Sequence, residues 1–282
     1  MADFSDVLLT VDFDRTMTGP NSKIPQRNLE AVQWFMDRGG TFTVNTGRST
    51  NTFRKYLHTL PANAPFLLYN GSAAYENGQL TACQAIDLPM WETVLAVAEA
   101  FPELNVEIQG KDNHYLVNQK ESYVNLYDRI GWGHAPAVPG TDIGPFIKFA
   151  IFGQVHDNTL GGMYESTEAE LERFRELEDF IVSRWGDKVD LFYASPRILD
   201  VQAKGVSKLR AARDLQQRLG KKILVCVGDA PNDIPMLDGA DFAFCPADAV
   251  VADRYETVCN CGDGAVADVI YEKIPKILGI NP

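Results

Sequence analysis

Two largely apolar five-residue runs, Val7-Leu8-Leu9-Thr10-Val11 and Ile223-Leu224-Val225-Cys226-Val227, lie far apart along the chain, and each leads straight to a carboxylate, Asp12 and Asp229. Neither run alternates in polarity. Continuous apolar strands are those covered on both faces, as in parallel sheets whose crossovers lay helices on either side. After the first run, Leu29, Val32 and Phe35 keep helical spacing until Gly39-Gly40. Thr41 to Asn45 reads as a second strand, Phe53, Leu57 and Leu60 return to helical spacing, and Phe66 to Tyr69 reads as a third strand before the Asn70-Gly71 turn. Strand and helix in alternation predict right-handed crossovers and an α/β fold with a doubly wound parallel sheet.

After Cys83 the pattern changes. A helix is predicted from Trp91 to Phe101, short strands at Val106 to Ile108 and Tyr115 to Val117, and β character from Phe146 to Phe152. A charged helix from Glu168 to Leu177 and strands near Phe180 to Val182 and Leu191 to Tyr193 complete an inserted α+β domain. From Ile198 the first style resumes. Ser207 is placed to cap a helix lined by Leu209, Ala212, Leu215 and Leu219 and closed by Gly220. The Ile223 strand, another at Phe242 to Cys245, and a terminal helix carrying Val266, Val269 and Ile270 follow. The expected division is a Rossmann-like core of 1-83 and 196-282 with an insertion at 84-195.

Charge separates the two parts. The chain carries −12 over 282 residues, and the insertion holds 8 Lys/Arg against 19 Asp/Glu, leaving a near-neutral core. Such a field repels nucleic acids and anionic membranes, so neither is an expected partner, and an anionic substrate needs a local positive centre. The insertion's acid reads as a solvated surface. No apolar stretch reaches the roughly 18 residues of a membrane span, and no basic segment leads into an apolar run at the N-terminus, so a cytoplasmic protein is expected. The five scattered cysteines read as reduced thiols, and Cys259 with Cys261 alone falls short of the four donors of a closed zinc site. The sequence leaves monomer and weak dimer both open.

In a doubly wound sheet, ligands collect beyond the carboxyl ends of the strands where strand order reverses. Asp12 and Asp14 follow the first strand, Thr46 the second, and Asp229, Asn232 and Asp233 the Ile223 strand. Acids converging there need a multivalent cation to stay ionised together, and hard oxygen donors favour Mg²⁺. The same set meets the needs of phosphoryl transfer. Asp12 can attack phosphorus, and Asp14 can protonate the leaving oxygen and later activate water. Strand side chains alternate, so both face one site only if the chain turns directly after Asp12. Thr46 offers a hydroxyl, Gly47 offers backbone N–H groups at an expected helix start, and Lys208 offers a cation in the first turn after Ser207, in competition with Lys204.

The motifs Asp12-Phe13-Asp14-Arg15-Thr16, Asn45-Thr46-Gly47-Arg48-Ser49, Gly205-Val206-Ser207-Lys208 and Gly228-Asp229-Ala230-Pro231-Asn232-Asp233, in that order, resemble the haloacid-dehalogenase-like superfamily across the whole chain. Asn70-Gly71 and the position of the insertion look like its Cof-type branch with a class IIB cap. The resemblance implies Asp12 as nucleophile, Asp14 as acid and base, and Mg²⁺ on Asp12, the Asp14 carbonyl and Asp229. Asp233 is implied as a further ligand or an orienter. Phosphate or substrate contacts are implied at Thr46, Gly47, Arg48, Asn70, Gly71, Lys208 and Asn232, with Arg48 alternatively pairing a cap carboxylate. The chain departs from the family at Arg15, where Gly is usual, at Met17 for Leu, and at Asp248, where Asn is common. The implied activity is Mg²⁺-dependent hydrolysis of a small phosphorylated metabolite, a sugar phosphate foremost, with a phosphomutase or phosphotransferase and a non-catalytic sensor as rivals. The histidines lie outside the motifs: His58 and His156 read as surface groups, while His114 and the Gly131-Trp132-Gly133-His134 loop either read a substrate or, the preferred reading, close a small core.

Overall fold

The first apolar run folds as β1 (Val7–Val11), every residue of it buried. The computed structural model describes residues 3–154 and 166–280, so His156 lies outside the described residues. Along the chain follow α1 (Gln26–Met36), β2 (Thr41–Val44), a one-turn α2 (Thr50–Phe53), β3 (Phe66–Leu68), β4 (Ala73–Glu76) and β5 (Gln79–Cys83). Next come α3 (Met90–Ala100), β6 (Asn105–Gln109), β7 (His114–Leu116), α4 (Glu121–Ile130), β8 (His134–Pro136), β9 (Lys148–Phe152), α5 (Glu168–Trp185), β10 (Val189–Ser195) and β11 (Ile198–Ala203). The C-terminal part holds α6 (Lys208–Arg218), β12 (Ile223–Val227), α7 (Ile234–Asp238), β13 (Phe242–Pro246), β14 (Glu256–Val258), α8 (Ala265–Asp268) and α9 (Ile274–Ile277). These elements form two units. One is Met1–Gly47, Lys55–Thr81 and Ser207–Pro282, and the other is Arg48–Arg54 with Ala82–Val206.

In the first unit the strand order is β14-β13-β12-β1-β2, parallel throughout. A parallel bridge between Asn45 and Leu67 hands the order on to β3, which otherwise pairs antiparallel with β4. Strand order therefore reverses between β1 and β12, the switch point of a doubly wound sheet. The register sets Val11 level with Val227, so Asp12 and Gly228-Asp229 leave the sheet side by side. Leu8, Leu224 and Cys226 on one face pack with Ala212 and Leu215 of α6 and with Met236 and Leu237 of α7. The helix predicted around Phe53 to Leu60 is shorter than its apolar spacing suggests: α2 gives way to a 3-10 turn at Arg54–Tyr56.

Among the described residues, the second unit holds a six-stranded sheet in the order β10-β11-β9-β6-β7-β8, in which only the β7–β8 pair is parallel. Val106, Ile108, Phe149, Ile151, Leu199 and Val201 point from one face to α3 and α5, whose Val94, Val97, Phe174, Leu177 and Ile181 close the core. The opposite face holds buried polar groups. Glu107 accepts hydrogen bonds from Tyr123, Tyr127 and Gln109, His114 is bonded to Tyr127, and Lys148 meets Asp200 at 2.5 Å. His114 packs on Tyr127 and Trp132, beside the small cluster of Leu116, Tyr123, Leu126 and Tyr127.

Two expectations need correction, and one helix was not expected. Residues 196 onward do not all return to the parallel unit, because β11 is a strand of the second sheet, with Leu199 and Val201 on its apolar face and Asp200 and Gln202 buried on its polar one. Phe180 to Val182 is not a strand. These bulky residues lie in α5, where Ile181 is buried and Val182 is half exposed, the helical alternation that a three-residue window hides. The helix α4 escaped notice because its buried residues are mostly tyrosines, Tyr123 and Tyr127, which carry a polar end.

The central strand sets a stability test. Leu8 is fully buried, so Leu8→Ala removes packing on both β12 and α6 and should lower unfolding free energy by about 3 kcal/mol in urea titration. A loss under about 1 kcal/mol would contradict this packing.

Candidate active site

The chain turns as soon as β1 ends. Asp12 is still extended, at φ −65° and ψ 159°, and the Phe13–Met17 turn that follows places Asp14 at φ −75° and Arg15 at φ 58°. Asp14 is itself extended, with ψ 127°, so the departure from strand geometry that two carboxylates spaced by one residue require to share a site falls at Phe13, between them. Across the sheet, Gly228-Asp229 follows β12 and a 3-10 turn at Pro231–Asp233 folds Asp233 back. Its Oδ2 accepts hydrogen bonds from the Asp229 N–H at 3.0 Å and the Ala230 N–H at 3.1 Å. Gly228 permits this closure, since a Cβ there would stand 2.6 Å from the Asp233 side chain.

Lys208 opens α6, whose N-cap is Ser207, with its hydroxyl accepting from the Arg210 N–H. Its ammonium donates to Asp12 Oδ1 at 2.5 Å and to Asp233 Oδ1 at 2.6 Å. Two further contacts fix the start of that helix. Asn45 donates to the Lys208 carbonyl at 2.8 Å, and Gly71, at φ 90°, lies so close that a Cβ would stand 2.6 Å from the Ser207 carbonyl. Thr16 donates to Asp229 Oδ1 at 3.1 Å. One carboxylate oxygen from each of Asp12, Asp229 and Asp233 lies within 4.8 Å of the others, all three residues being buried.

Burial is the largest influence on these groups. It drives the Asp12 pKa well above the ordinary carboxyl value, against the opposing pull of Lys208 and with added push from Asp233, Asp229 and Asp14. Asp229 is pushed up to about 7, by burial first and then by Asp233. Burial works against the charge of Lys208, yet Asp12 and Asp233 hold its pKa above the ordinary lysine value. The cluster thus has more negative charge than one ammonium offsets. A divalent cation is the group that fits: the donors are hard carboxylate oxygens, close enough to share one ion. Asp12 and Asp229 have the geometry to hold it, while both oxygens of Asp233 are already engaged by Lys208 and backbone amides.

The other expected residues are placed as follows. Lys204 belongs to the second unit and pairs with Asp190 at 2.7 Å, so Lys208 alone of the two reaches Asp12. Thr46 is buried beyond β2, its N–H bonded to Leu67 and its carbonyl to the Asn70 N–H. Gly47 does not open a helix as expected, because Ser49 takes the N-cap and α2 begins at Thr50. Asn70 is buried at φ 52° beside Gly47, and Asn232 is half-buried on the Pro231–Asp233 turn. Arg48 falls in the second unit and donates to the Thr52 carbonyl at 3.0 Å. Sequence reasoning missed the positioning contacts of Asn45 and Thr16, although both stand inside the quoted motifs. It also missed that Ser49 Oγ is hydrogen-bonded to His114 at 2.7 Å within the second unit.

Residues 9–252 match the haloacid dehalogenase-like hydrolase family. The chain is 24% identical over 263 residues to the 5-amino-6-(5-phospho-D-ribitylamino)uracil phosphatase of Bacillus subtilis, covering 91% of this chain and 92% of that protein. It is 22% identical over 270 residues to the HMP-PP phosphatase of Escherichia coli, covering 92% and 93%. Among solved structures, a haloacid dehalogenase-like hydrolase from Bacteroides thetaiotaomicron superposes with a TM-score of 0.77 at 19% identity, covering 95% of this chain and 98% of that one. A subclass IIB sugar phosphatase superposes at 0.72 with 18% identity, covering 97% and 99%. The chain belongs to the haloacid dehalogenase-like hydrolase family, as the four motifs imply, and is an enzyme of its Cof-type branch, as Asn70-Gly71 and the position of the insertion imply.

The two lysines should respond differently to neutralisation. Lys208→Met strands Asp12 and Asp233 without their buried cation and should cost about 3 kcal/mol of stability. Lys204→Met, at a half-exposed pair, should cost less than about 1 kcal/mol by the same chemical denaturation. Equal losses would contradict the assignment of Lys208 as the site's cation.

Proposed function

We propose that this enzyme is a Mg²⁺-dependent phosphatase that hydrolyses a small phosphorylated metabolite, a sugar phosphate foremost, through an aspartyl phosphate on Asp12. The observation that carries the reading is Lys208 bridging Asp12 and Asp233 at the switch point, with Asp229 alongside. The named phosphatases among its relatives support the same class. A cytoplasmic location is part of the proposal; among the described residues no helix is long and apolar enough to cross a membrane.

An Asp12 carboxylate oxygen attacks phosphorus as the bond from phosphorus to the leaving oxygen breaks. Asp14 supplies the proton that oxygen takes up. In the second half, Asp14 takes a proton from water, the water oxygen bonds to phosphorus, and the Asp12–phosphorus bond breaks to release inorganic phosphate. Lys208 offsets charge on the transferring group, and Asp233 holds Lys208 in place. Asp12, Asp229 and the Asp14 carbonyl would hold Mg²⁺, which when bound supplies positive charge to the non-bridging phosphate oxygens. Thr46, Gly47, Asn70 and Asn232 provide the phosphate's remaining donors. The second unit acts as the cap that selects the substrate, with Arg48 on its side of the division.

The test is release of inorganic phosphate from a panel of sugar phosphates and other phosphomonoesters, with Mg²⁺ and with EDTA. Turnover should require the metal, and Asp12→Asn should lower it at least about a thousandfold, the scale of losing a covalent nucleophile. Interconversion of phosphosugars without phosphate release, or turnover indifferent to EDTA, would defeat the proposal.

A further inference from the structure

Arg15 and Asp248 are two places where the motifs depart from the family pattern, and the fold brings them together. Arg15 sits at φ 58°, a backbone region that costs a non-glycine residue about 1 kcal/mol. The Arg15 guanidinium lies 3.6 Å from Asp248 and 4.0 Å from Asp229 Oδ2. Asp229 is buried, whereas the Arg15 side chain is about half exposed and has room to move.

The two carboxylates differ in kind. Asp248 is an anchored acceptor: the Cys261 N–H donates to it at 2.8 Å and the Cys261 thiol at 3.1 Å. Its loop is tied to the cluster, since the Val250 N–H donates to the Asp229 carbonyl at 2.9 Å. Asp229 has one oxygen bonded to Thr16, and the other is the oxygen that faces Arg15. A guanidinium and a divalent cation on one carboxylate compete, because each lowers the negative potential that binds the other.

Resting on the reading that Asp229 holds a divalent cation, we propose that Arg15 and Asp248 set the affinity of that site. Asp248 holds the Arg15 guanidinium to the side of Asp229, and Arg15 weakens the cation's hold from the distance at which Asp248 keeps it. Both are positioning residues, acting on Asp229 and not on the substrate.

Calorimetric titration of Mg²⁺ into the full chain tests this without reference to turnover. Arg15→Gly, which also relieves the backbone strain, should tighten binding about fivefold, the scale of one partly exposed ion pair. Asp248→Asn frees the guanidinium to close on Asp229 and should weaken binding by about the same factor. The double variant should match Arg15→Gly, since Asp248 acts only through Arg15. Unchanged affinity in Arg15→Gly, or equal weakening by Asp248→Asn with and without Arg15, would overturn the inference. Should Asp248→Asn fail to fold, Arg15→Gly alone decides. Wild-type protein that binds no Mg²⁺ would instead overturn the metal reading of the site, and this inference with it.

Discussion

Everything in the catalytic unit is arranged around the repulsion of three buried carboxylates, Asp12, Asp229 and Asp233, that face a single ammonium, Lys208. Such a cluster is costly to bury, and it persists because the parallel register of β1 and β12 leaves Asp12 and Asp229 no other place to go. The fold spends its polar contacts on the same spot. Asn45 and the close approach of Gly71 pin the first turn of α6, the Asp229 and Ala230 amides pin Asp233, and Thr16 pins Asp229. Those contacts turn a repulsive cluster into an ordered one, the preorganisation that the proposed cation and anionic substrate require.

The parallel sheet was legible in the sequence because strands covered on both faces leave an unmistakable apolar run, and the carboxylates at their ends marked the switch point. Lys208 was legible over Lys204 because a residue in the first turn of a capped helix has a fixed direction. What the sequence hid were effects of burial on polar residues. Asn45 and Thr16 act through contacts to residues far away in the chain, and no local pattern marks them. The division into units was misplaced at β11, whose Leu199 and Val201 face the apolar core of the second sheet while Asp200 and Gln202 are buried on its polar face, an alternation that no local pattern assigns to one sheet or the other. Helix α5 ran on through residues that favour strands because Phe174, Leu177 and Ile181 share one helical face, so packing overrode propensity.

The second unit has its own polar logic. Its sheet keeps apolar side chains on the face toward α3 and α5 and buries Glu107, His114, Lys148 and Asp200 on the other, where each meets a partner of matching chemistry. Burial keeps the His114 pKa below its ordinary value despite the nearby Glu107 carboxylate. Ser49, from the second motif, joins this network through His114, so part of a motif read as belonging to the phosphate site is held by the other unit's interior. The acidic excess of the insertion lies largely outside this interior, on α5 for example, where Glu168 and Glu172 pair with Arg175 at the surface.

A crystal structure of the full chain soaked in Mn²⁺, with the ion located by its anomalous scattering, bears most directly on whether these carboxylates form one metal site. The expected result is a single strong peak bonded to carboxylate oxygens of both Asp12 and Asp229, with Lys208 still paired to Asp233. A peak that bonds neither residue, or ions only on the acidic surface of the second unit, would contradict it.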